Sequence, residues 1–332
     1  MFIRGVPLSH FSCPYIPRID ISPILKEGLE SQSAEPVLDQ IRSACSEIGF
    51  MVVSGHGVEH DLVEAMGKAA RSFFALDPKV KLQGAPRSWN KESSNAYRGY
   101  FPSSANGKEG LDIGDPRLSV NDRLLLSRRY YELNRFPAEL DENWRSVISL
   151  YFDALSKLGR CLMEAMVSSL GGDPTRVAEA FPRPGGLSTL RFNFYPENVD
   201  PVEISDQDGA WLGCETHVDS GIMTILHQDS VGGLQVRDRE RRWVDVPYEQ
   251  GTFVVNTGLA MHRMTNRVFP ATPHRVLFSR TSRLSIPFFM EPVHDFVVAS
   301  ESLGLNKLSD LEAPTYEAFL HESLKKFAEY DR

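Results

Sequence analysis

LSTLRFNFY (187–195), GIMTILHQ (221–228), GGLQVRD (232–238), RWVDV (242–246), TFVVNT (252–257), HRVLFS (274–279) and RLSIPFFM (283–290) follow one another with turn residues between them. Short alternating runs at regular spacing are the signature of a β-sandwich or a closed barrel. Successive side chains of a strand point to opposite faces. In the first run Leu190, Phe192 and Phe194 therefore share one face, and Arg191, Asn193 and Tyr195 the other. In the last run Arg283 and Ser285 share a face. Polar groups aligned on the inner face of a barrel are costly unless something satisfies them. An arginine with a hydroxyl beside it suits a carboxylate, which it grips by charge-assisted hydrogen bonds.

Upstream of these runs the periodicity is helical. Leu38, Ile41, Cys45 and Ile48 fall at helical spacing, as do Leu62, Met66, Ala69, Ala70 and Phe73. A longer stripe carries Val147, Leu150, Tyr151, Leu155, Leu158, Leu162 and Met166, and Gly171–Gly172 ends it. MVVSGHGV (51–58) reads as a short strand closed by a glycine turn. From Pro314 a last helix sets Tyr316, Phe319, Leu320, Leu324 and Phe327 on one side. The pattern predicts a helical and mixed region over 1–180, packed on a β core that fills 181–332 together with the terminal helix.

The stretch 86–136 is polar and weakly periodic, yet it carries Tyr97, Arg98, Tyr100 and Phe101. Loops of this length are usually functional or disordered, and the aromatic residues argue for order. The expectation is a lid over a substrate, with Tyr97, Arg98 and Tyr100 as candidate substrate contacts.

Composition sets limits on the partners. A formal net charge of -8 leaves no basic footprint for nucleic acid. No apolar run approaches the ~20 residues of a membrane span. The first twenty residues lack the apolar core and cleavage site of a secretory signal, so the cytoplasm is the expected compartment. Cys13, Cys45, Cys161 and Cys214 show no CxxC pairing and read as reduced thiols. The sequence gives no indication of oligomeric state.

In THVDSG (216–221), His217 and Asp219 are two apart and point the same way along a strand. Two imidazoles and a carboxylate that leave one face of an octahedron open form the facial triad of non-haem Fe(II) oxygenases. His262 and His274 compete for the third position. His274 is favoured because it heads a strand after the turn-rich NRVFPATP, whereas His262 sits among Met261 and Met264. An HxD pair alone is a weak signal; the inward Arg283–Ser285 and Asn193–Tyr195 pairs strengthen it.

HVDSGIMTILHQDSVGGLQV, NRVFPATPHRV and RLSIPFF, with IPRIDISPIL and ACSEIGFMVVSGHGV near the N-terminus, resemble the Fe(II)/2-oxoglutarate oxygenases related to isopenicillin N synthase. The resemblance covers most of the chain. It implies a double-stranded β-helix, or jelly roll, flanked by N-terminal helices and a C-terminal helix. It implies His217, Asp219 and His274 as iron ligands, and Arg283 and Ser285 as the grip on the distal carboxylate of 2-oxoglutarate. Tyr195 would help that grip, and Asn193 would lie near the chelating end. Two departures stand out: Arg267 occupies a position often held by glycine, and Leu259 one often held by aspartate. Isopenicillin N synthase has a similar Arg-x-Ser pair without using 2-oxoglutarate. Gly221 and Gly232–Gly233 favour the oxoglutarate users, as does the lack of the synthase's C-terminal glutamine.

The implied reaction couples O₂ and decarboxylation of 2-oxoglutarate to oxidation of an unactivated C–H bond in a small molecule, by hydroxylation, desaturation or cyclisation. A tailoring step in specialised metabolism is the expected setting. The alternative is an Fe(II) oxidase that needs no 2-oxoglutarate. A silent binding barrel has no need of a chelating face, and a zinc hydrolase would need a general base that no nearby carboxylate supplies.

Overall fold

The computed structural model describes residues 16–104, 107–197, 200, 203–205, 208–306 and 312–326. Cys13 and Phe327 lie outside them. The strands are β1 (Arg18–Asp20), β2 (Phe50–Ser54), β3 (Gly99–Phe101), β4 (Glu109–Ile113), β5 (Thr189–Tyr195), β6 (Glu203–Ile204) and β7 (Trp211–His217). They continue with β8 (Met223–Gln228), β9 (Leu234–Arg237), β10 (Trp243–Asp245), β11 (Phe253–Thr257), β12 (His274–Leu277) and β13 (Arg283–Met290). An eight-stranded sheet runs β1-β2-β11-β8-β13-β5-β4-β3, and a five-stranded sheet runs β10-β9-β12-β7-β6. All described pairings are antiparallel except β1 with β2, and the two sheets form the jelly-roll core.

The larger sheet is buried on both sides, which is why runs such as FVVNT read as almost continuously apolar. On β2, Met51 and Val53 join the cluster under the helices, while Phe50 and Val52 join the one between the sheets. On β13, Leu284, Ile286, Phe288 and Met290 pack outward under the helices, leaving Arg283, Ser285, Pro287 and Phe289 for the inside.

The long helix Glu142–Ser169 lies across the outer face. The Asp141 carboxylate caps its start by accepting the Trp144 N–H at 2.8 Å. Phe152 meets Phe288 edge-on at 5.0 Å between ring centroids. Gly159 permits the close approach: a Cβ there would stand 2.6 Å from the Met290 sulfur. Leu150, placed on this stripe by its spacing, is 56% exposed, because the stripe is narrower than the apolar run. Burial pushes the Cys45 thiol up to about 12, marking it as a core residue rather than a nucleophile.

The first 180 residues supply β1 to β4, half of the larger sheet. The stretch 86–136 contains the β3–β4 hairpin, which extends that sheet beyond β5 with Gly99 opposite Asp112 and Gly110 opposite Asn193. Among the described residues no helix is long and apolar enough to cross a membrane.

Candidate metal centre and its cavity

Antiparallel pairing sets His274, the first residue of β12, directly opposite His217, the last of β7. Their ring centroids are 4.3 Å apart. Asp219 follows in the turn, its Oδ1 3.9 Å from His217 Nε2 and 3.6 Å from His274 Nε2. One donor atom from each of the three residues lies within 4.8 Å of the others, as a shared metal ion requires. His262, the competing candidate, lies in the helix Leu259–Met264 and turns its Nδ1 to the Phe269 carbonyl at 3.1 Å.

Neighbouring groups aim the three side chains. His217 Nδ1 lies 2.8 Å from the Glu215 carbonyl and His274 Nδ1 3.1 Å from that of Thr272. A carbonyl only accepts, so each Nδ1 carries the proton and each Nε2 is left as the ligating nitrogen. Asp219 Oδ2 accepts from Asn256 at 2.8 Å and from Thr224 at 2.5 Å, leaving Oδ1 to face the imidazoles. Burial pushes the Asp219 carboxyl up, but His274, His217 and these two donors outweigh it and hold it below the usual carboxylate range. Burial and the neighbouring His217 bring His274 down to about 4, so it is neutral at pH 7. Burial also opposes a charge on His217, but Cys214 and Asp219 raise that ring to about 9, and a metal cation would displace its proton.

The donors on Asp219 carry a testable consequence. Removing a partner that orients a metal ligand typically weakens metal affinity by about 10- to 100-fold. Asn256→Ala should weaken Fe(II) binding by that factor with the fold intact, measured by anaerobic equilibrium titration. Unchanged affinity would mean that the carboxylate is aimed by something else.

The far end of the same cavity, which has a volume of about 550 Å³, holds the polar strand faces. Arg283 pairs across the sheet with Tyr195, and Ser285 with Asn193. Arg283 is 1% exposed. Its Nε donates to the Gly232 carbonyl at 2.7 Å, and its guanidinium carbon sits 4.9 Å from the centre of the Tyr195 ring. Gly232 and Gly233 both have positive φ, 71° and 84°, which explains the glycine pair in the loop that meets Arg283. Arg283 Nη1 and Asn193 Oδ1 are buried with no hydrogen-bond partner among the described residues. A buried guanidinium N–H without an acceptor is costly, and a ligand carboxylate would satisfy it.

Residues 187–292 match the 2OG-Fe(II) oxygenase superfamily, and residues 16–139 match the N-terminal region of the non-haem dioxygenases in morphine synthesis. A 2-oxoglutarate-dependent dioxygenase of Monascus ruber is 31% identical, over 88% of this chain and 89% of its own length. The chain belongs to the 2OG-Fe(II) oxygenase superfamily. Isopenicillin N synthase of Streptomyces clavuligerus is 29% identical, over 94% of this chain and 95% of its own. A full-length Neurospora crassa protein, solved in complex with alpha-KG and 5-formyluracil, superposes with a TM-score of 0.76 at 25% identity, covering 93% of this chain and 95% of that one. As a 2OG-Fe(II) oxygenase the protein is a dioxygenase that uses Fe(II) and 2-oxoglutarate.

This oxygenase does not place all the expected substrate residues on the cavity. Tyr97, Arg98 and Tyr100 do not line it. Arg98 is buried behind the sheet, donating to Thr189 Oγ1 and to the Leu187 carbonyl, each at 2.9 Å. Tyr97 packs edge-on against Tyr130 at 4.9 Å. The Tyr100 hydroxyl donates to Glu109 at 2.5 Å, and the ring meets Phe73. The physical reason is the hairpin: once β3 joins the sheet, these side chains satisfy their need for burial beneath the helices. The Glu132 carboxylate adds order by accepting the N–H groups of Ala96, Tyr97 and Arg98. Of the described residues of 86–136, Ser104, Gly107 and Lys108 at the hairpin tip reach the cavity. Arg98→Ala should therefore cost roughly 2–4 kcal/mol of stability, as loss of a buried charged donor does. Iron and 2-oxoglutarate binding should persist; a wild-type melting temperature with poorer substrate binding would return Arg98 to the lid role.

Four further contributors were not named as site residues from the sequence. Thr224 and Asn256 are polar residues at inward positions of apolar strands, and that interruption was the available signal. Arg191 is held through Nε and Nη2 by the buried Asp112 carboxylate, at 2.5 and 2.7 Å, and faces the cavity beside Phe289. Lys326 reaches the rim from beyond the terminal helix.

Proposed function

We propose that His217, Asp219 and His274 hold the Fe(II), that Arg283 and Ser285 grip the distal carboxylate of 2-oxoglutarate, and that the product is an oxidised small molecule. The observation that carries this reading is the unpartnered, buried Arg283 Nη1, which shares one cavity with the triad. Fe(II) held there would activate O₂, whose oxidising equivalents would be shared between decarboxylation of 2-oxoglutarate to succinate and CO₂ and oxidation of an unactivated C–H bond.

The chain's own residues bind and orient. Thr224 and Asn256 fix the carboxylate of Asp219, and the two carbonyls fix the imidazoles. Tyr195 stacks on the Arg283 guanidinium and keeps its fork in place. Asn193, with an open Oδ1, lies between that fork and the metal end. Phe50, Leu226, Pro287 and Phe289 supply apolar wall that excludes water from the reacting region. The primary substrate enters between the hairpin tip and Lys326, against Arg191 and Phe289. Full-length likeness to small-molecule oxygenases supports a tailoring reaction of specialised metabolism, by hydroxylation, desaturation or cyclisation.

The test has two stages. Anaerobic addition of Fe(II) and 2-oxoglutarate should produce the visible charge-transfer band of a chelated 2-oxo acid. A screen of modified amino acids, peptides, terpenoids and phenolics should then find compounds that stimulate succinate release. Substrate oxidation without succinate would replace this reading with the 2-oxoglutarate-independent oxidase.

A further inference from the structure

Glu291 follows β13 at the outer end of the larger sheet and is buried. Its Oε1 accepts the Tyr316 hydroxyl at 3.0 Å, and its Oε2 has no hydrogen-bond partner among the described residues. Tyr316 is the first residue of the terminal helix Tyr316–Leu324 and is itself fully buried. Both groups press on the turn that follows Asp219. A Cβ on Gly221 would stand 3.4 Å from the Tyr316 hydroxyl and 3.5 Å from Glu291 Oε1. The helix is also fastened by the N–H of Tyr316 to the Phe296 carbonyl at 2.7 Å, by the N–H of Glu317 to the His294 carbonyl at 2.9 Å, by the Tyr130 hydroxyl to His321 at 3.0 Å, and by the buried side chain of Leu320. Just beyond the helix, Lys326 stands on the cavity rim.

We propose that Glu291 is a latch for the terminal helix: its buried carboxyl accepts the Tyr316 hydroxyl and so holds Lys326 at the mouth of the cavity, and the latch loosens once the carboxyl is charged, because the charge gains more from water when the helix lifts than from the Tyr316 hydroxyl when it is docked.

The charged and titratable groups that act on Glu291 are Arg98 ahead of β3, Asp112 on β4, Arg191 on β5 and Tyr316 on the helix, with Tyr97 nearby. Burial is the largest influence. It raises the carboxyl to about 7 against the pull of Arg98, Tyr316 and Arg191, while Asp112 pushes the same way as burial. Lifting the helix exposes the carboxyl to water, where its pKa returns to roughly 4.3. Between about 4 and 7 the docked state therefore holds a proton that the lifted state has lost. Docking is strongest at the acid end of this window and weakens as pH rises through it, by up to about tenfold per pH unit. Above about 7 both states are charged and the dependence ends.

Hydrogen exchange of residues 316–324 in the full chain, corrected for intrinsic rates, reads the latch without turnover. It is independent of which metal or co-substrate binds. Wild type should lose protection by roughly tenfold per unit between about pH 5 and 7. Glu291→Gln keeps the acceptor for Tyr316 but cannot ionise, so its protection should be flat across the window. Tyr316→Phe should already be poorly protected at pH 5. A flat wild-type profile overturns the proposal, and so does an equal slope in Glu291→Gln. If Glu291→Gln fails to fold, the wild-type slope and Tyr316→Phe at pH 5 still decide it, and wild-type protection in Tyr316→Phe is then the overturning result.

Discussion

His274→Ala and His217→Ala should each reduce succinate formation to background, a loss of at least roughly a thousandfold. Three ligands are the minimum that hold the ion with an open face, and the ion contributes several kcal/mol to the transition state. His274 is one-tenth exposed or less and heads a short strand, so its truncation leaves the two apolar clusters in place. Circular dichroism should be unchanged while the metal content of the purified protein falls. His262→Ala is the control. Its imidazole serves the Phe269 carbonyl and lies outside the ligand cluster, so iron content and turnover should survive. Activity in His274→Ala with loss in His262→Ala would reassign the third ligand.

Arg283→Leu should raise the apparent KM for 2-oxoglutarate by roughly 30- to 1000-fold, the equivalent of about 2–4 kcal/mol for a charge-assisted contact in a desolvated pocket. The KM for the primary substrate should move far less. Arg283 is nearly fully buried, its Nε is donated to Gly232, and its Nη1 has no hydrogen-bond partner among the described residues, which leaves that arm of the fork for a ligand. Leucine keeps apolar volume at the position but offers no donor. An unchanged 2-oxoglutarate KM with weakened substrate binding would move Arg283 to the substrate's carboxylate and favour the oxidase chemistry.

The metal centre was legible because strand periodicity is local. Arg283 and Ser285 share β13, so their facing could be read from spacing; His217 and Asp219 could be paired because they are two apart, although Asp219 lies in the turn after β7 rather than on the strand. Choosing His274 over His262 required only that one heads a strand and the other sits among methionines. The β3–β4 hairpin was not legible. Its strands are three and five residues long, buried on both sides and rich in glycine and charge, so no alternation marks them. Arg98 and Tyr100 looked like ligand contacts because aromatic and basic residues in a long polar stretch call for burial or a ligand. Their partners, Thr189 and Glu109, come from other strands and become visible only once the sheet is assembled. The same holds for Arg191, whose partner Asp112 pairs with it across β4 and β5.

The β3–β4 hairpin sits at the margin of the eight-stranded sheet, and its tip forms one side of the cavity mouth. A loop joining two neighbouring antiparallel strands can grow at little entropic expense, about 0.6 kcal/mol for each doubling in length. None of the residues proposed to hold the iron or to grip 2-oxoglutarate belongs to that loop. Lengthening or shortening the loop between Phe101 and Glu109 should therefore reshape the cavity mouth and leave the triad and the Arg283 fork where they are.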